Sequence, residues 1–256
     1  MIADAAAAGK HVFCEKPIDL DLARIDSALE AVNAAGILLQ VGFNRRFDPS
    51  FARIRQLVAS GEIGQPHLVR VTSRDPAPPP VEYVRASGGI FLDMMIHDFD
   101  MARFVTGQEV VEVFAMGGVL VEPQIGAAGD VDTTIVTLRF DSGALGAIDN
   151  SRRAVYGYDQ RVEVFGSEGC ASADNGYPNQ VTVSTGKSVS RDLPFNFFIE
   201  RYADAYLAEM DAFVRSVADG GASPVDGADG REPVVIALAA QRSLELGRPV
   251  RTAPRS

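Results

Sequence analysis

The sequence predicts an α/β segment followed by a larger α+β domain. Residues 1–45 hold two short apolar runs separated by a stretch of helical periodicity, which is typical of a β-α-β unit. Beyond residue 110, alternating polar and apolar runs are separated by glycine-containing turns, which is typical of antiparallel strands. We therefore predict that residues 1–45 are the remnant of a doubly wound sheet. Residues 46–256 should form a second domain with a large, mostly antiparallel, open sheet that helices cover on one face.

The first segment supplies two buried strands and the helix between them. We expect strands at residues 11–15 and 37–43 and a helix over 19–35, where apolar residues recur every three or four positions. Gly36 can end that helix. Because the connections are short, the two strands should lie parallel in one sheet.

The second segment begins with a helix, a strand and a proline-rich connection. The helix is expected over residues 51–60 and the strand over 67–74. The prolines within 76–80 force an extended chain. This connection leads to a helix that begins at Gly88-Gly89, over which it could act as a lid.

Seven alternating stretches predict further strands of the sheet. Two long helical stretches, 197–219 and 232–246, each end before a glycine and can cover one face of that sheet. The other face would stay open, which predicts assembly into a homo-oligomer, a dimer or a tetramer. The seven predicted strands cover residues 110–116, 131–140, 144–152, 160–165, 170–174, 180–185 and 188–193.

Composition narrows the class of protein. The chain is 46% hydrophobic and 23% charged, with a net charge of −10. Such an acidic chain is a poor partner for nucleic acid, whose phosphates attract basic surfaces. No apolar run reaches the ~18 residues of a membrane span, and no secretory signal is visible, so the sequence predicts a cytoplasmic protein without a membrane partner.

Three residues are candidates for acid, base and cation chemistry. Lys16 ends a buried strand, where an ammonium group can polarise a substrate oxygen. Asp93 and His97 stand four apart on a predicted helix, so both side chains should share one face. His97, with an ordinary pKa near ~6.5, can accept a proton, and Asp93 can orient its ring. The alternatives are a core histidine and a solvated lysine.

Metal chemistry finds little support in the pattern of ligating residues. The histidines are His11, His67 and His97, and the cysteines are Cys14 and Cys170. Their spacing matches no metal-ligand motif. We therefore expect no metal site and two reduced thiols.

Three motifs resemble those of a known family of oxidoreductases. Cys14-Glu15-Lys16-Pro17, the stretch 42–48 and the block 88–100 are similar to motifs of the glucose–fructose oxidoreductase/inositol dehydrogenase (Gfo/Idh/MocA) family. The aspartate and histidine of the third block, with the stretch 156–159, resemble the inositol 2-dehydrogenase branch. The likeness runs along nearly the whole chain.

The resemblance implies an activity, a cofactor and a set of site residues. The activity is hydride transfer from a secondary hydroxyl of a cyclic polyol or sugar to NAD. NADP remains open as the cofactor, and aldoses and anhydro sugars remain open as substrates. It also implies a cis peptide bond between Lys16 and Pro17. The implied catalytic residues are Lys16, Asp93 and His97, the implied cofactor contacts are Glu15 and Lys16, and the implied substrate contacts are Arg45, Asp100 and Tyr156.

One family feature has no counterpart in this sequence. Family members begin with a glycine-rich turn that brings the backbone close to the dinucleotide pyrophosphate, yet the sequence contains no Gly-x-Gly. We therefore expect most of the N-terminal Rossmann domain to be missing, either because the sequence starts inside a longer enzyme or because the protein is short. This expectation argues against NAD binding by the chain alone. It leaves open a non-catalytic polyol-binding or assembly subunit.

Overall fold

The computed structural model describes residues 1–252, which form a small two-stranded sheet, a large seven-stranded sheet and the helices that pack on both. A third, two-stranded sheet projects from the surface. The helices are α1 (Ile2–Ala7), α2 (Leu22–Ala35), α3 (Pro49–Ala59), α4 (Val81–Ser87), α5 (Gly89–Asp93), α6 (Ile96–Thr106), α7 (Pro123–Ala127), α8 (Phe198–Arg201), α9 (Ala203–Asp219) and α10 (Gly227–Leu246), with a short 3-10 helix at Asn44–Phe47.

The strands follow the same chain order. They are β1 (Val12–Glu15), β2 (Leu39–Gly42), β3 (Pro66–Arg74), β4 (Val110–Gly118), β5 (Thr133–Phe140), β6 (Leu145–Ser151), β7 (Asp159–Gly166), β8 (Cys170–Ala173), β9 (Thr182–Ser184), β10 (Val189–Arg191) and β11 (Val250–Arg251).

The N-terminal segment is the β-α-β unit that the sequence predicts. Strands β1 and β2 pair in parallel, with Glu15 opposite Gly42 at their ends. The side chain of Asp21 accepts hydrogen bonds from two backbone amides and caps α2. Gly36 ends the helix at φ 62°, a left-handed conformation that glycine adopts without steric cost. The two caps thus fix the length of the helix that joins the strands.

The large sheet is mixed in direction. Its strand order is β11-β4-β5-β6-β3-β7-β8. Strands β3 and β6 run parallel, whereas the other neighbouring pairs run antiparallel. The parallel pairing of β3 with β6 brings the ends of the two strands side by side, with Arg74 opposite Ser151.

One face of the large sheet packs against helices and the other is open. Helices α3, α6 and α10 contact the sheet, and the alternate residues that face them, such as Val136 and Ile148, are buried. Several apolar side chains on alternate positions of the strands are exposed instead, among them Met116, Ile135 and Leu145. This arrangement agrees with the prediction that helices cover only one face.

Some predicted elements differ from the structure. The stretches near 182 and 190 form a separate hairpin of fully exposed three-residue strands and do not join the large sheet. The helix predicted over 197–219 is interrupted at Tyr202. Helix α10 starts before the predicted residue 232, because Asp226 and Asp229 form a capping box at its N-terminus.

The structure bears only partly on two predictions, the domain boundary near residue 45 and the absence of a membrane-spanning segment. The boundary near residue 45 remains a prediction, and the last four residues of the predicted second domain, 253–256, lie outside the described residues. Within residues 1–252, no helix combines the length and apolar character that a membrane crossing requires.

Candidate active site

A cavity of about 1060 Å³ opens where the ends of β1 and β2 face the start of α6. Titratable side chains from the end of β1, from α5 and α6 and from the residue after β6 line one part of it, and aromatic side chains from α4, α8 and α9 line it as well. The prolines of the connection after β3 line another part. Its volume lies at the upper end of the range for small-molecule sites, so a cofactor ring and a polyol ring can fit side by side.

Lys16 reaches into this cavity from the end of β1. The peptide bond between Lys16 and Pro17 is cis, as the resemblance implies. Nζ of Lys16 donates a hydrogen bond of 2.8 Å to the backbone oxygen of Asp93 and lies 3.8 Å from Asp93 Oδ1. Burial lowers the pKa of the Lys16 ammonium, and the negative charge of Asp93 opposes that change. The lysine is therefore a mostly buried cation with one close counter-charge.

Asp93 contacts Lys16, and the predicted contact between Asp93 and His97 is wrong. The hydroxyl of Tyr83 donates a 2.8 Å hydrogen bond to Asp93 Oδ1, and Nη1 of Arg152 donates a 3.1 Å hydrogen bond to Asp93 Oδ2. Both carboxylate oxygens are thus engaged by groups other than the imidazole. Among residues 1–252, no hydrogen bond joins Asp93 to His97, and His97 Nδ1 has no partner.

The cause lies in the helix that the sequence predicts through both residues. The structure divides it into α5 and α6, with Met94 and Met95 between them. The backbone amides of both methionines donate to the carbonyl of Ile90, which closes α5 before α6 begins. Because the helix is interrupted, the four-residue spacing no longer places Asp93 directly against His97.

His97 lines the cavity as a partly buried, neutral base. Its Nδ1 is buried and has no hydrogen-bond partner among residues 1–252, so Nε2 is the nitrogen available to a ligand. Burial, followed by the positive charges of Lys16 and Arg45, lowers the pKa of His97 well below its usual value. An imidazole in this setting is unprotonated at neutral pH and can accept a proton.

Arg45 lies beneath the cavity and adds positive charge to it. Its Nη1 donates a 2.6 Å hydrogen bond to Asp98 Oδ1, and its Nη2 donates a 3.2 Å hydrogen bond to the hydroxyl of Tyr158. Asp98 also accepts a hydrogen bond from Asn150. The guanidinium is therefore held in place by buried partners while it lines the cavity.

Two of the substrate contacts that the resemblance implies, Asp100 and Tyr156, do not line the cavity. Asp100 is fully buried and forms a two-pronged ion pair with Arg46, so its carboxylate does not line the cavity. The hydroxyl of Tyr156 donates to Asp159 and also does not line it. Tyr158, which follows the turn at Gly157, lines the cavity instead.

Sequence reasoning missed several polar residues that line the cavity, among them Asp75, Arg152 and Tyr83. Asp75 follows β3 directly, and burial raises its pKa to about 6 against the opposing charges of Arg152 and Arg45. Arg152 follows β6, and Tyr83 lies on α4. Parallel pairing of β3 with β6 brings Asp75 and Arg152 to one edge of the sheet. The one signal in the sequence was the position of Asp75, an acidic residue directly before the proline-rich connection.

Glu15 lines the end of the cavity near β1 and β2. A side chain at Gly42 would begin only 2.8 Å from Glu15 Oε2, so the glycine makes room for the Glu15 carboxylate at the cavity. Burial raises the pKa of that carboxyl, and Lys16 opposes the change. The contact of Glu15 and Lys16 with the nicotinamide ribose, which the resemblance implies, remains a prediction.

A metal centre has no set of ligands in the part of the chain that the structure describes. Across residues 1–252, no three His, Cys, Asp or Glu side chains lie close enough together to hold a metal ion. Cys14 and Cys170 are free thiols. The polar groups of the cavity are therefore the ones to consider for chemistry.

Comparison with known proteins gives matches along nearly the whole chain. Residues 1–43 match the family model described as "Oxidoreductase family, NAD-binding Rossmann fold". Residues 51–172 match the model described as "GFO/IDH/MocA C-terminal domain".

Individual relatives and solved structures agree with these family models. The chain is 54% identical to an uncharacterized oxidoreductase of Bacillus subtilis, over 98% of this chain and 73% of that protein. It is 53% identical to the myo-inositol 2-dehydrogenase of Thermotoga maritima, over 98% of this chain and 75% of that protein.

A scyllo-inositol dehydrogenase of Lactobacillus casei, solved with NAD(H) and scyllo-inositol bound, matches with a TM-score of 0.91 at 35% identity. The match covers 99% of this chain and 76% of that one. The chain therefore spans about three quarters of each of these relatives. With these matches, the chain belongs to the GFO/IDH/MocA family of oxidoreductases.

Proposed function

We propose that this protein is an inositol 2-dehydrogenase that oxidises a secondary hydroxyl of a cyclic polyol with NAD. The observation that carries the proposal is one cavity in which a buried ammonium, Lys16, shares space with an unprotonated imidazole, His97. Alcohol oxidation by hydride transfer needs these two groups. The relatives named for inositol dehydrogenation support the choice of substrate.

Three residues of the cavity, Lys16, Asp93 and His97, have roles in the proposed reaction. His97 takes the proton of the substrate hydroxyl, and the Lys16 ammonium stabilises the negative charge that grows on the same oxygen. The carbon–hydrogen bond breaks with both electrons, and bound NAD supplies the acceptor for that hydride. Asp93 holds Lys16 through its backbone oxygen and its carboxylate.

The polyol ring requires several hydrogen-bonding groups, and the cavity offers them. Asp75, Arg152 and Tyr158 line it together with Arg45. These residues combine donors and acceptors, as a ring of hydroxyls requires. We propose them as substrate contacts in place of Asp100 and Tyr156.

The open face of the large sheet supports a second part of the proposal, self-association. Met116 is 62% exposed and Ile135 is 59% exposed, and both lie on this face with Leu145. Met116 and Ile135 lie directly opposite each other on neighbouring strands, and contiguous exposed apolar side chains often mark protein–protein contacts. We propose a homo-oligomer with copies joined through this face. A cytoplasmic location remains a prediction from the sequence.

The test is a substrate panel with the purified protein. Myo-inositol, scyllo-inositol, an aldose and an anhydro sugar are each offered with NAD and with NADP, and formation of the reduced cofactor is followed by absorbance. We expect NAD-dependent oxidation of an inositol in preference to the sugars. Oxidation of the sugars alone would contradict the substrate assignment.

Calorimetry separates the proposal from its rival, the non-catalytic subunit. We expect inositol to bind more tightly when NAD is present. Inositol binding that is indifferent to NAD, together with no oxidation of any compound in the panel, would favour the polyol-binding or assembly subunit.

A further inference from the structure

Tyr83 is a surface residue whose hydroxyl reaches the interior of the cavity. It lies on α4, directly after the proline-rich connection, and is 49% exposed. Its hydroxyl nevertheless donates a 2.8 Å hydrogen bond to Asp93 Oδ1. Burial and the adjacent Asp93 raise the pKa of Tyr83 to about 12, so this hydroxyl keeps its proton and remains a donor at neutral pH.

A second donor competes for the same carboxylate. Arg152 is 1% exposed and binds Asp93 Oδ2 through Nη1 alone. Its Nε and Nη2 have no hydrogen-bond partner among residues 1–252. Because guanidinium groups favour two-pronged pairing with carboxylates, Asp93 would gain a second hydrogen bond by turning fully toward Arg152.

The oxygen that Tyr83 holds is the one that faces the lysine. Asp93 Oδ1 lies 3.8 Å from Lys16 Nζ, so a turn of the carboxylate toward Arg152 would remove this charge from the ammonium. We propose that Tyr83 is a positioning residue whose hydroxyl keeps Asp93 turned toward Lys16 against the pull of Arg152. The effect of Tyr83 on catalysis rests on the proposed function. Its effect on the orientation of the Asp93 carboxylate does not depend on that function.

The charge of Lys16 reports directly on this arrangement. Burial lowers its pKa, and Asp93 gives the largest opposing contribution. If Asp93 turns away, the pKa of Lys16 falls further. The charged and titratable groups that face Lys16 from the surrounding elements are Glu15 on β1, Arg45 on the 3-10 helix, Asp75 after β3, Asp93 on α5 and His97 on α6.

The first experiment measures that pKa without any enzyme assay. Lys10, Lys16 and Lys187 are the only lysines in the sequence, and Lys10 and Lys187 are exposed. Competitive acetylation across a pH series, followed by mass spectrometry of the peptides, therefore gives the titration of Lys16 with two internal references. The test variant is Tyr83→Phe, which removes only the hydroxyl.

The matched control is Tyr177→Phe, which makes the same chemical change at a tyrosine that does not line the cavity. The Tyr177 hydroxyl also has a hydrogen bond, which it accepts from Arg191. We expect a lower pKa of Lys16 in Tyr83→Phe and no change in the control. A Lys16 titration that is unchanged or shifted upward in Tyr83→Phe would overturn the proposal, whether or not the protein oxidises inositol.

The second experiment asks whether the position of Asp93 matters for turnover. We expect kcat for inositol oxidation to fall by about tenfold in Tyr83→Phe, the loss that corresponds to one hydrogen bond, with KM changed less than kcat. Tyr177→Phe should keep the wild-type constants. Equal constants in both variants would refute the catalytic role of Tyr83, and an inactive wild-type protein would refute the proposed function while the acetylation result stands.

Discussion

Replacement of Asp100 by asparagine separates a structural role from the substrate contact that the resemblance implies. Asp100 accepts hydrogen bonds from Arg46 at 2.9 Å through Nε and at 2.6 Å through Nη2, and it is 1% exposed. Removing one partner of a buried ion pair costs about 3–5 kcal/mol. Since Asp229 also pairs with Arg46, Asp100→Asn should lose about 3 kcal/mol, at the lower end of that range.

The assay is equilibrium unfolding in urea, with Asp211→Asn as the matched control. Asp211 pairs with Arg215 on the exposed side of α9, and such pairs contribute less than about 1 kcal/mol. We expect Asp100→Asn to lower the free energy of unfolding well beyond the control, with KM for inositol nearly unchanged. A variant as stable as the control but with a raised KM would refute the reasoning and restore Asp100 as a substrate contact.

Three further predictions follow from the cavity. The rate constant kcat/KM should show a bell-shaped pH dependence. Its acid limb should report the lowered pKa of His97 and its alkaline limb the lowered pKa of Lys16. Limbs at the ordinary pKa values of histidine and lysine would contradict the effect of burial on these two groups. Tyr158→Phe should raise KM for inositol, whereas Tyr156→Phe should not, and steady-state kinetics of the pair decides this. Burial raises the pKa of Asp75 in the folded state from 3.8 to about 6, so the native state binds this proton more tightly than the unfolded state does. The free energy of unfolding should therefore fall as pH rises from about 4 to about 6. Asp75→Asn should flatten this pH dependence in urea unfolding, and an unchanged slope would contradict the prediction.

Local signals in the sequence were enough to predict the N-terminal β-α-β unit. A polar cap and a terminal glycine define helix α2 without help from the rest of the chain, as Asp21 and Gly36 show. Lys16 could be identified because it ends an apolar strand within a known motif. Such features depend on neighbours within a few residues, which is the range that sequence patterns describe well.

The remaining features depend on contacts between distant parts of the chain. Asp75 and Arg152 meet only because β3 inserts beside β6 in parallel, and no local pattern specifies that pairing. Asp100 has the helical spacing of a cavity residue, but Arg46, 54 positions earlier, binds it. The break after α5 is similarly hidden, because methionine is a good helix former. Tertiary packing therefore decided which side chains of the predicted site face the cavity.

The most direct test of the account is the rate of hydride transfer in single turnovers, with inositol carrying deuterium at the oxidised carbon. We expect a primary isotope effect in the wild-type protein and a loss of about 10²–10³ in rate for Lys16→Ala, with a comparable loss for His97→Ala. The exposed-lysine control Lys187→Ala should keep the wild-type rate. Equal rates in Lys16→Ala and Lys187→Ala would contradict the claim that the buried ammonium and the imidazole in this cavity carry out the oxidation.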